Sequence, residues 1–438
     1  MLTKFTMPLL WVLLVAGCGG GSGGNANKNL PEIKKWIYDH YHANYLWNSD
    51  IPDDIVIEDH STAESLMDAM AYWRDRWSYI DDAGDHSAYF DEGQTEGYGG
   101  RWRWYQYTQA RRYPRLLEVH SLSPANAAGL QRGDWIIEID GNDLWEVDEQ
   151  TYYATFDRWR ENGEAIVTYE RNGTRSRERV GYRVFTLDTV KDEHIQTYGD
   201  KKIAYFRLTS FIEPSVDKIV DLYLSYNEHP DLDSIIIDLR HNGGGRTWIT
   251  AFLTNWLLKN RTDPLDLDAA PMIHYVHNEN KRDDDETWTF YSNEENVGLG
   301  FKNFVILTTD GTCSASELLI SAIQPYAEQL YTVGDTTCGK PVGMEPVEQF
   351  DKILSAVTFK TLNALGEGEY FDGIPPDCPA EENLDSPIAS DDDPLYAHAI
   401  SLLTEQRCAD FEPVQRARQQ QPVQAPSKDL QRWWRPDL

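Results

Sequence analysis

The chain has 438 residues, more than a single compact core accommodates, so two or three domains are expected. Hydrophobic residues make up 41% and aromatics 12%, ample for globular cores and contrary to a disordered chain. A formal net charge of -32 repels phosphate backbones and excludes a general nucleic-acid binder; the acid excess reads as a solvated surface.

The first residues, MLTKFTMPLLWVLLVAGC, place Lys4 ahead of an apolar run too short to span a bilayer, and close on small residues and Cys18. That is the pattern of an export signal over residues 1–17. Leu14-Val15-Ala16-Gly17-Cys18 resembles a bacterial lipobox, which implies lipidation at Cys18 and attachment to a membrane through it. With no Asp after the cysteine, the resemblance implies the outer membrane, facing the periplasm. Residues 18–30 are Gly/Ser-rich, a flexible tether. Residues 31–85 read as helical. Ile33, Trp36, Ile37 and Tyr41 mark one amphipathic helix. A second starts where Ser61 and Glu64 are spaced for a capping box, with an apolar stripe of Leu66, Met70, Trp73 and Trp77.

From residue 86 strand-like alternation takes over. GYGGRWRWYQYTQARRYPRLLEVHSL carries Arg101, Arg103, Arg111, Arg112 and Arg115 with no acidic neighbour before Glu118, a basic island in an acidic chain. SPANAAGLQRGDWIIEIDG (123–141) follows: a helical turn from Asn126 to Leu130, Arg132-Gly133-Asp134 to close it, and a strand from Trp135 to Ile139. This stretch resembles a PDZ domain of the kind linked to bacterial proteases, over residues 86–188. Such domains add an extended peptide C-terminus to a sheet edge and hold its carboxylate on backbone N–H groups. The resemblance implies a carboxylate loop at Tyr98-Gly99-Gly100-Arg101, where glycines let the backbone approach closely. The bland alternative is that the arginines line a solvated strand face.

Between residues 189 and 408 strands and helices alternate. KKIAYFRLTSF reads as a strand, SVDKIVDLYLSY as a helix, and SIIIDLRHNGGG as a buried strand entering a glycine turn. TWITAFLTNWLLKN is a helix, FKNFVILTTDGT a strand and SASELLISAIQPY a helix, so an α/β domain is expected. Residues 409–438 are polar and Gln/Pro-rich, a disordered tail by composition. The chemistry concentrates in TTDGTCSASELLISAI, residues 308–323. Ser314 stands where a strand turns through Asp310-Gly311 into a helix, and free N–H groups at a helix start favour developing negative charge. The N–H of Ala315 is placed to bind an oxyanion. No histidine is close in sequence. A lysine serves as proton acceptor if burial lowers its pKa from about 10.4 to roughly 7–8. Lys340, in VGDTTCGKPVGMEPV, sits among few charges, and Glu317, one helical turn beyond Ser314, suits positioning by hydrogen bonds. The run Gly243 to Gly245 can present N–H groups to an anion.

SPANAAGLQRGDWIIEIDG, IAYFRLTSF, IIIDLRHNGGG, GTCSASELLISAI and VGDTTCGKPV occur in that order, and the set resembles the carboxyl-terminal processing (tail-specific) serine peptidase family over residues 31–408. The resemblance implies a multidomain α/β protein: an N-terminal helical region, a PDZ-like β-rich domain and a crotonase-like α/β catalytic domain. It implies Ser314 as nucleophile, Lys340 as general base, and oxyanion N–H groups from Ala315 and Gly244, with Gly243 the alternative. It implies an endopeptidase that takes polypeptides by their C-terminal tails and needs no metal, organic cofactor or nucleotide. Two residues depart from the pattern: Cys313 replaces a small residue before the nucleophile, and Met344 stands where the processing peptidases often carry glutamine.

Cys313, Cys338, Cys378 and Cys408 remain after export, an even number with three possible connectivities in an oxidising compartment. Pairing Cys313 with Cys338 would tie both catalytic loops together, and Cys378 with Cys408 would staple the C-terminal helix; free thiols are the alternative. None of the four has zinc-ligand spacing. Gly334 to Lys340 spells G-x-x-x-x-G-K, but Pro341 replaces the Ser/Thr that a phosphate loop needs, so a nucleotide site is not expected. His241 as the base of a Ser-His-Asp set is set aside as a loop histidine. A reading from another class remains open: a catalytically silent cell-envelope receptor that binds peptides or apolar ligands.

Overall fold

The computed structural model describes residues 29–260, 267–291 and 298–410; the expected export signal, Cys18, most of the tether and the tail beyond residue 410 lie outside the described residues. Helix α1 (Leu30–Asn44) carries a proline in its first turn and buries Ile33, Ile37 and Tyr41. Helix α2 (Ala63–Met70) is capped one residue later than the sequence spacing suggests. Thr62 is its N-cap and accepts from Ser65 N at 3.0 Å, while Ser65 Oγ accepts from Thr62 N at 3.1 Å. The helix also stops early, because the backbone becomes extended at Ala71 (φ -69, ψ 135). Trp73 therefore falls outside the expected stripe and is 75% exposed. Strand β1 (Tyr79–Asp82) and helix α3 (Ala83–Phe90) follow, and α3 runs across the expected boundary at 85/86.

Next come β2 (Gln94–Gly97), β3 (Gly100–Gln106), β4 (Arg112–Val119), α4 (Pro124–Ala127), β5 (Trp135–Ile139), β6 (Asn142–Asp143), α5 (Glu149–Asn162), β7 (Glu164–Arg171), β8 (Thr174–Gly181) and β9 (Arg183–Thr186). The strands β3-β4-β5-β7-β8 form one antiparallel sheet, with β6 beside β5, and β2 pairs with β9. Helix α4 starts two residues before the expected turn, since Ser123 caps it by accepting from Asn126 N. Asp148 caps α5, which ends on left-handed Gly163 (φ 71). Trp102, Leu116, Ile136, Trp159 and Val180 fill the core between sheet and helix.

The remaining elements are β10 (Val190–Tyr198), β11 (Lys201–Leu208), α6 (Glu213–Asn227), β12 (Ser234–Asp238), α7 (Thr247–Leu258), β13 (Pro271–His277), β14 (Glu286–Thr289), β15 (Asn303–Thr308), α8 (Ala315–Ile323), β16 (Gln329–Gly334), β17 (Val342–Met344), β18 (Val347–Gln349), β19 (Lys352–Ser355), β20 (Val357–Asn363), β21 (Cys378–Pro379) and α9 (Pro394–Glu405). The main sheet has the order β10-β11-β12-β15-β16-β21, parallel except where β10 meets β11. Its central strands β11, β12 and β15 are covered on both faces, which is why they read as apolar runs. Ile235 and Ile237 face helices α6, α7 and α8, whereas Ile236 faces α9. A second sheet, β14-β13-β20-β17, and a small one, β1-β19-β18, complete the fold; the small sheet ties the N-terminal region to the α/β part.

Candidate active site

Because β12, β15 and β16 are adjacent and parallel, their C-terminal ends open on one edge of the sheet, where ligands meet such folds. The loops that leave those ends are the glycine turn, the Ser314 turn and the Lys340 loop. Sequence segments up to a hundred residues apart are thereby brought to one place.

Ser314 caps α8 with φ 55 and ψ -114. A non-glycine residue occupies such backbone only where the surroundings hold it, and a strained strand-to-helix turn is the way many folds present a nucleophile. The holding contacts are explicit. Cys313 N and Ser316 Oγ donate to the Asn242 carbonyl at 2.9 and 3.0 Å, and Thr312 Oγ1 donates to the Leu239 carbonyl at 2.8 Å. Gly244 (φ 107) presses against this turn: a Cβ there would lie 2.8 Å from Ser314 Cβ and 2.9 Å from Ala315 N. Only glycine fits.

Ala315 is the first residue of α8, so its N–H has no acceptor within the helix. Gly244 differs from expectation. Its N–H donates to Asn242 Oδ1 at 2.9 Å, so in this arrangement it is engaged by its own turn rather than held open for an oxyanion. The Asn side chain closes back on the backbone two residues on, the usual Asx-turn habit.

Glu317 is fully buried and gathers the site. Its Oε2 accepts from Ser314 N at 2.9 Å and Lys340 N at 2.8 Å; its Oε1 accepts from Gly339 N at 2.7 Å and Thr337 Oγ1 at 2.5 Å. Burial pushes this carboxyl above its ordinary pKa, against the four donors that pull it down. Lys340 keeps part of its surface open, but its amine lies deep, and that desolvation lowers its pKa from 10.5 to about 8 despite the opposing charges of Asp75 and Glu317. The amine sits 4.0 Å from the Met344 sulfur; among the described residues no hydrogen bond joins it to Ser314 Oγ. Glu317 thus couples serine and lysine through their backbones, not through hydroxyl and amine.

Cys313 is disulfide-bonded to Cys338, and Cys378 to Cys408. Two clusters with metal-ligand composition, Cys313/Glu317/Cys338 and Cys378/His398/Cys408, therefore offer no free thiolate.

Arg101, Arg103 and Arg115 of the basic island are engaged within the fold and not held out for a carboxylate, whereas the Arg111 side chain stays 42% exposed and pairs with Asp143 and Glu146. Arg101 is 8% exposed and its guanidinium donates to the His241 carbonyl, next to the glycine turn. Arg103 pairs with Asp310 at 2.7 Å, in the turn before Ser314, and Arg115 pairs with Asp385. Arg132 and His241 share Glu382, at 2.7 and 2.8 Å. Burial raises the Glu382 pKa, but His241, Arg132 and Arg240 overcome it and hold the carboxyl well below its usual range. Tyr98 stacks between Trp102 and Trp159 (ring centroids 5.1 and 4.9 Å apart), and Gly99 meets Ser123 so closely that no Cβ fits. Sequence reasoning missed these acids, and it missed the turn 72–78, whose Arg76 donates to the Cys338 carbonyl at 2.6 Å.

Residues 202–380 match the profile described as Peptidase family S41, and residues 32–79 that of the Peptidase S41 N-terminal domain, together just over half of the chain. A carboxyl-terminal-processing protease of Synechocystis is 28% identical over 287 residues, 64% of this chain and 63% of its own length. The carboxy-terminal processing protease CtpA of Bacillus subtilis is 25% identical over 262 residues, 59% of this chain and 51% of its own. The chain thus spans less than two thirds of the curated relatives it matches. A crystal structure assigned as an S41 protease of Bacteroides fragilis shares the fold, with a TM-score of 0.69 at 20% identity over 85% of this chain and 97% of that one.

Proposed function

Because this chain belongs to peptidase family S41, that of the carboxyl-terminal processing serine peptidases, we propose that it is a serine endopeptidase with Ser314 as nucleophile and Lys340 as general base. The observation that carries the reading is the strained Ser314 backbone, tied through one buried carboxylate to the backbone of a lysine whose amine titrates near 8. Such an amine is neutral in a useful fraction at slightly alkaline pH. It takes the Ser314 proton as Oγ attacks the substrate carbonyl carbon, and the resulting ammonium returns that proton to the leaving amine. Water then cleaves the acyl-enzyme with the same lysine as base. The Ala315 N–H is one oxyanion donor. A second comes from Gly243, or from Gly244 once Asn242 Oδ1 lets it go. The lysine amine must also turn from Met344 to the hydroxyl.

Residues 86–188 act as a PDZ-like domain that takes substrate C-termini. Strand β3 supports this, since it stands at the edge of its sheet with helix α5 alongside, the arrangement that strand addition requires. Arg101 is then a tie to the His241 turn, and Tyr98, Gly99 and Gly100 supply the loop. Residues 189–408 are the crotonase-like catalytic domain. Export, lipidation at Cys18 and an outer-membrane location facing the periplasm complete the reading, on the lipobox pattern alone. The test is covalent labelling with a fluorophosphonate or boronate probe, together with cleavage of an unfolded polypeptide. Loss of both in Ser314→Ala and Lys340→Ala is expected. A folded wild-type protein that neither labels nor cleaves would be the silent receptor instead.

A further inference from the structure

We propose that Asp75 is a positioning residue for this reaction: the turn Tyr72–Ser78 clasps the Lys340 loop and keeps a fixed carboxylate within electrostatic reach of the lysine amine, where it stabilises the ammonium formed as the serine gives up its proton. The proposal rests on the Ser314/Lys340 reading above.

The clasp has two sides. Arg76 Nη2 donates to the Cys338 carbonyl, two residues before Lys340, at 2.6 Å. Ser78 Oγ accepts from Val357 N at 3.0 Å, in the strand that pairs with β17 just after Lys340. Val342 of β17 is buried in the same apolar cluster as Tyr45, and Met344, Trp77 and Phe371 pack against that cluster. The lysine loop is thus seated on the N-terminal region.

Within the clasp Asp75 cannot swing. It accepts from Tyr45 OH at 2.7 Å, Ser78 Oγ at 2.6 Å, and the N–H groups of Trp77 and Ser78 at 3.0 Å each. Tyr45 is fully buried, and its hydroxyl also accepts from Tyr72 N at 3.0 Å. The charges acting on the amine are Asp75 from the turn and Glu317 from α8; Arg76 of the same turn is engaged by the Cys338 carbonyl, and the Tyr370 hydroxyl, in the segment before β21, feels the Glu317 charge and stays protonated. Of the two carboxylates, Asp75 acts on the amine more strongly than Glu317. Glu317 is committed to three backbone N–H groups and Thr337, and the Met344 thioether is only a weak acceptor, so neither is the fixed partner of the ammonium. A nucleophile and base are commonly completed by a third group that orients the base.

The full chain is compared with Asp75→Asn, Asp75→Glu, Arg76→Met and Ser314→Ala by fluorophosphonate labelling across pH, kcat and KM on unfolded casein, and melting temperature. Removing the carboxylate releases the lysine proton more readily, so in Asp75→Asn the acid limb of labelling moves to lower pH. The plateau kcat falls at least about tenfold with KM changed much less, and Asp75→Glu restores part of it. Arg76→Met, at an exposed position that folding tolerates, lowers kcat severalfold even if Asp75→Asn fails to fold. An unmoved acid limb in a folded Asp75→Asn protein, or wild-type labelling in Arg76→Met, overturns the proposal while leaving the peptidase reading intact. A wild type that does not label at all, like Ser314→Ala, sinks both.

Discussion

Replacing Glu317 by Gln tests whether one carboxylate holds the serine and lysine turns together. Its two oxygens serve four donors, two each, and the side chain is 0% exposed, so water cannot substitute. The amide keeps one oxygen. In its best orientation that oxygen stays on Ser314 N and Lys340 N, and the new NH2 donates to Thr337 Oγ1, which can accept. Gly339 N is then left unsatisfied. One orphaned buried donor costs about 1–3 kcal/mol, and the two retained bonds lose their charge assistance, for about 2–4 kcal/mol in all. Glu317→Ala orphans all four and costs at least about 4 kcal/mol. Against a total stability of about 5–15 kcal/mol both effects are measurable as shifts in the urea midpoint. Labelling of Ser314 should fall in the same order, wild type above Gln above Ala, because the same bonds fix both turns. A Gln variant within about 0.5 kcal/mol of wild type, or an Ala variant no worse than Gln, would refute the reasoning.

Three further outcomes are expected. Labelling and peptide cleavage should rise with pH to half their plateau near pH 8, the value to which burial lowers Lys340. The same group links to stability: its folded pKa of about 8 lies below the ordinary 10.5, so the unfolded chain binds more protons between those values and stability rises with pH across that window. Lys340→Met should abolish labelling and flatten that rise, as read from urea midpoints at pH 7.5 and 10. Gly244→Ala forces a Cβ to within 2.8 Å of Ser314 Cβ at φ 107, and should abolish labelling while lowering the melting temperature. Cys313→Ala with Cys338→Ala opens a closure of 25 residues and should cost about 3.5 kcal/mol of stability, read by denaturant unfolding. Thiol counting on the denatured, unreduced wild type should find neither cysteine free.

What the sequence discloses depends on how far apart the interacting residues lie. The strands β12 and β15 are legible because burial on both faces demands apolar runs, and Ser314 is legible because a strand ending in Asp-Gly before an apolar helix leaves one polar residue at the helix start. Even the relation of Glu317 to Ser314 is local, a single turn. Its other three donors come 20 to 23 residues later and leave no trace in spacing. Arg101, Arg103 and Arg115 look like part of a free basic island only because their partners, the His241 carbonyl, Asp310 and Asp385, lie at least 140 residues on. Charge counting along the chain cannot separate a solvated arginine from one that docks a domain on a catalytic turn, since both are arginines on strands. Asp75 is the extreme instance. Nothing in WRDRWSYI distinguishes it from the many other acids, and its importance follows solely from which loop the fold sets above it. The backbone strain at Ser314 is equally invisible, because it is imposed by Gly244 and Asn242 from another strand end rather than by any residue preference at position 314. Local chemistry therefore singles out the proposed reacting groups, whereas the devices that strain, bury and charge them are assembled by topology.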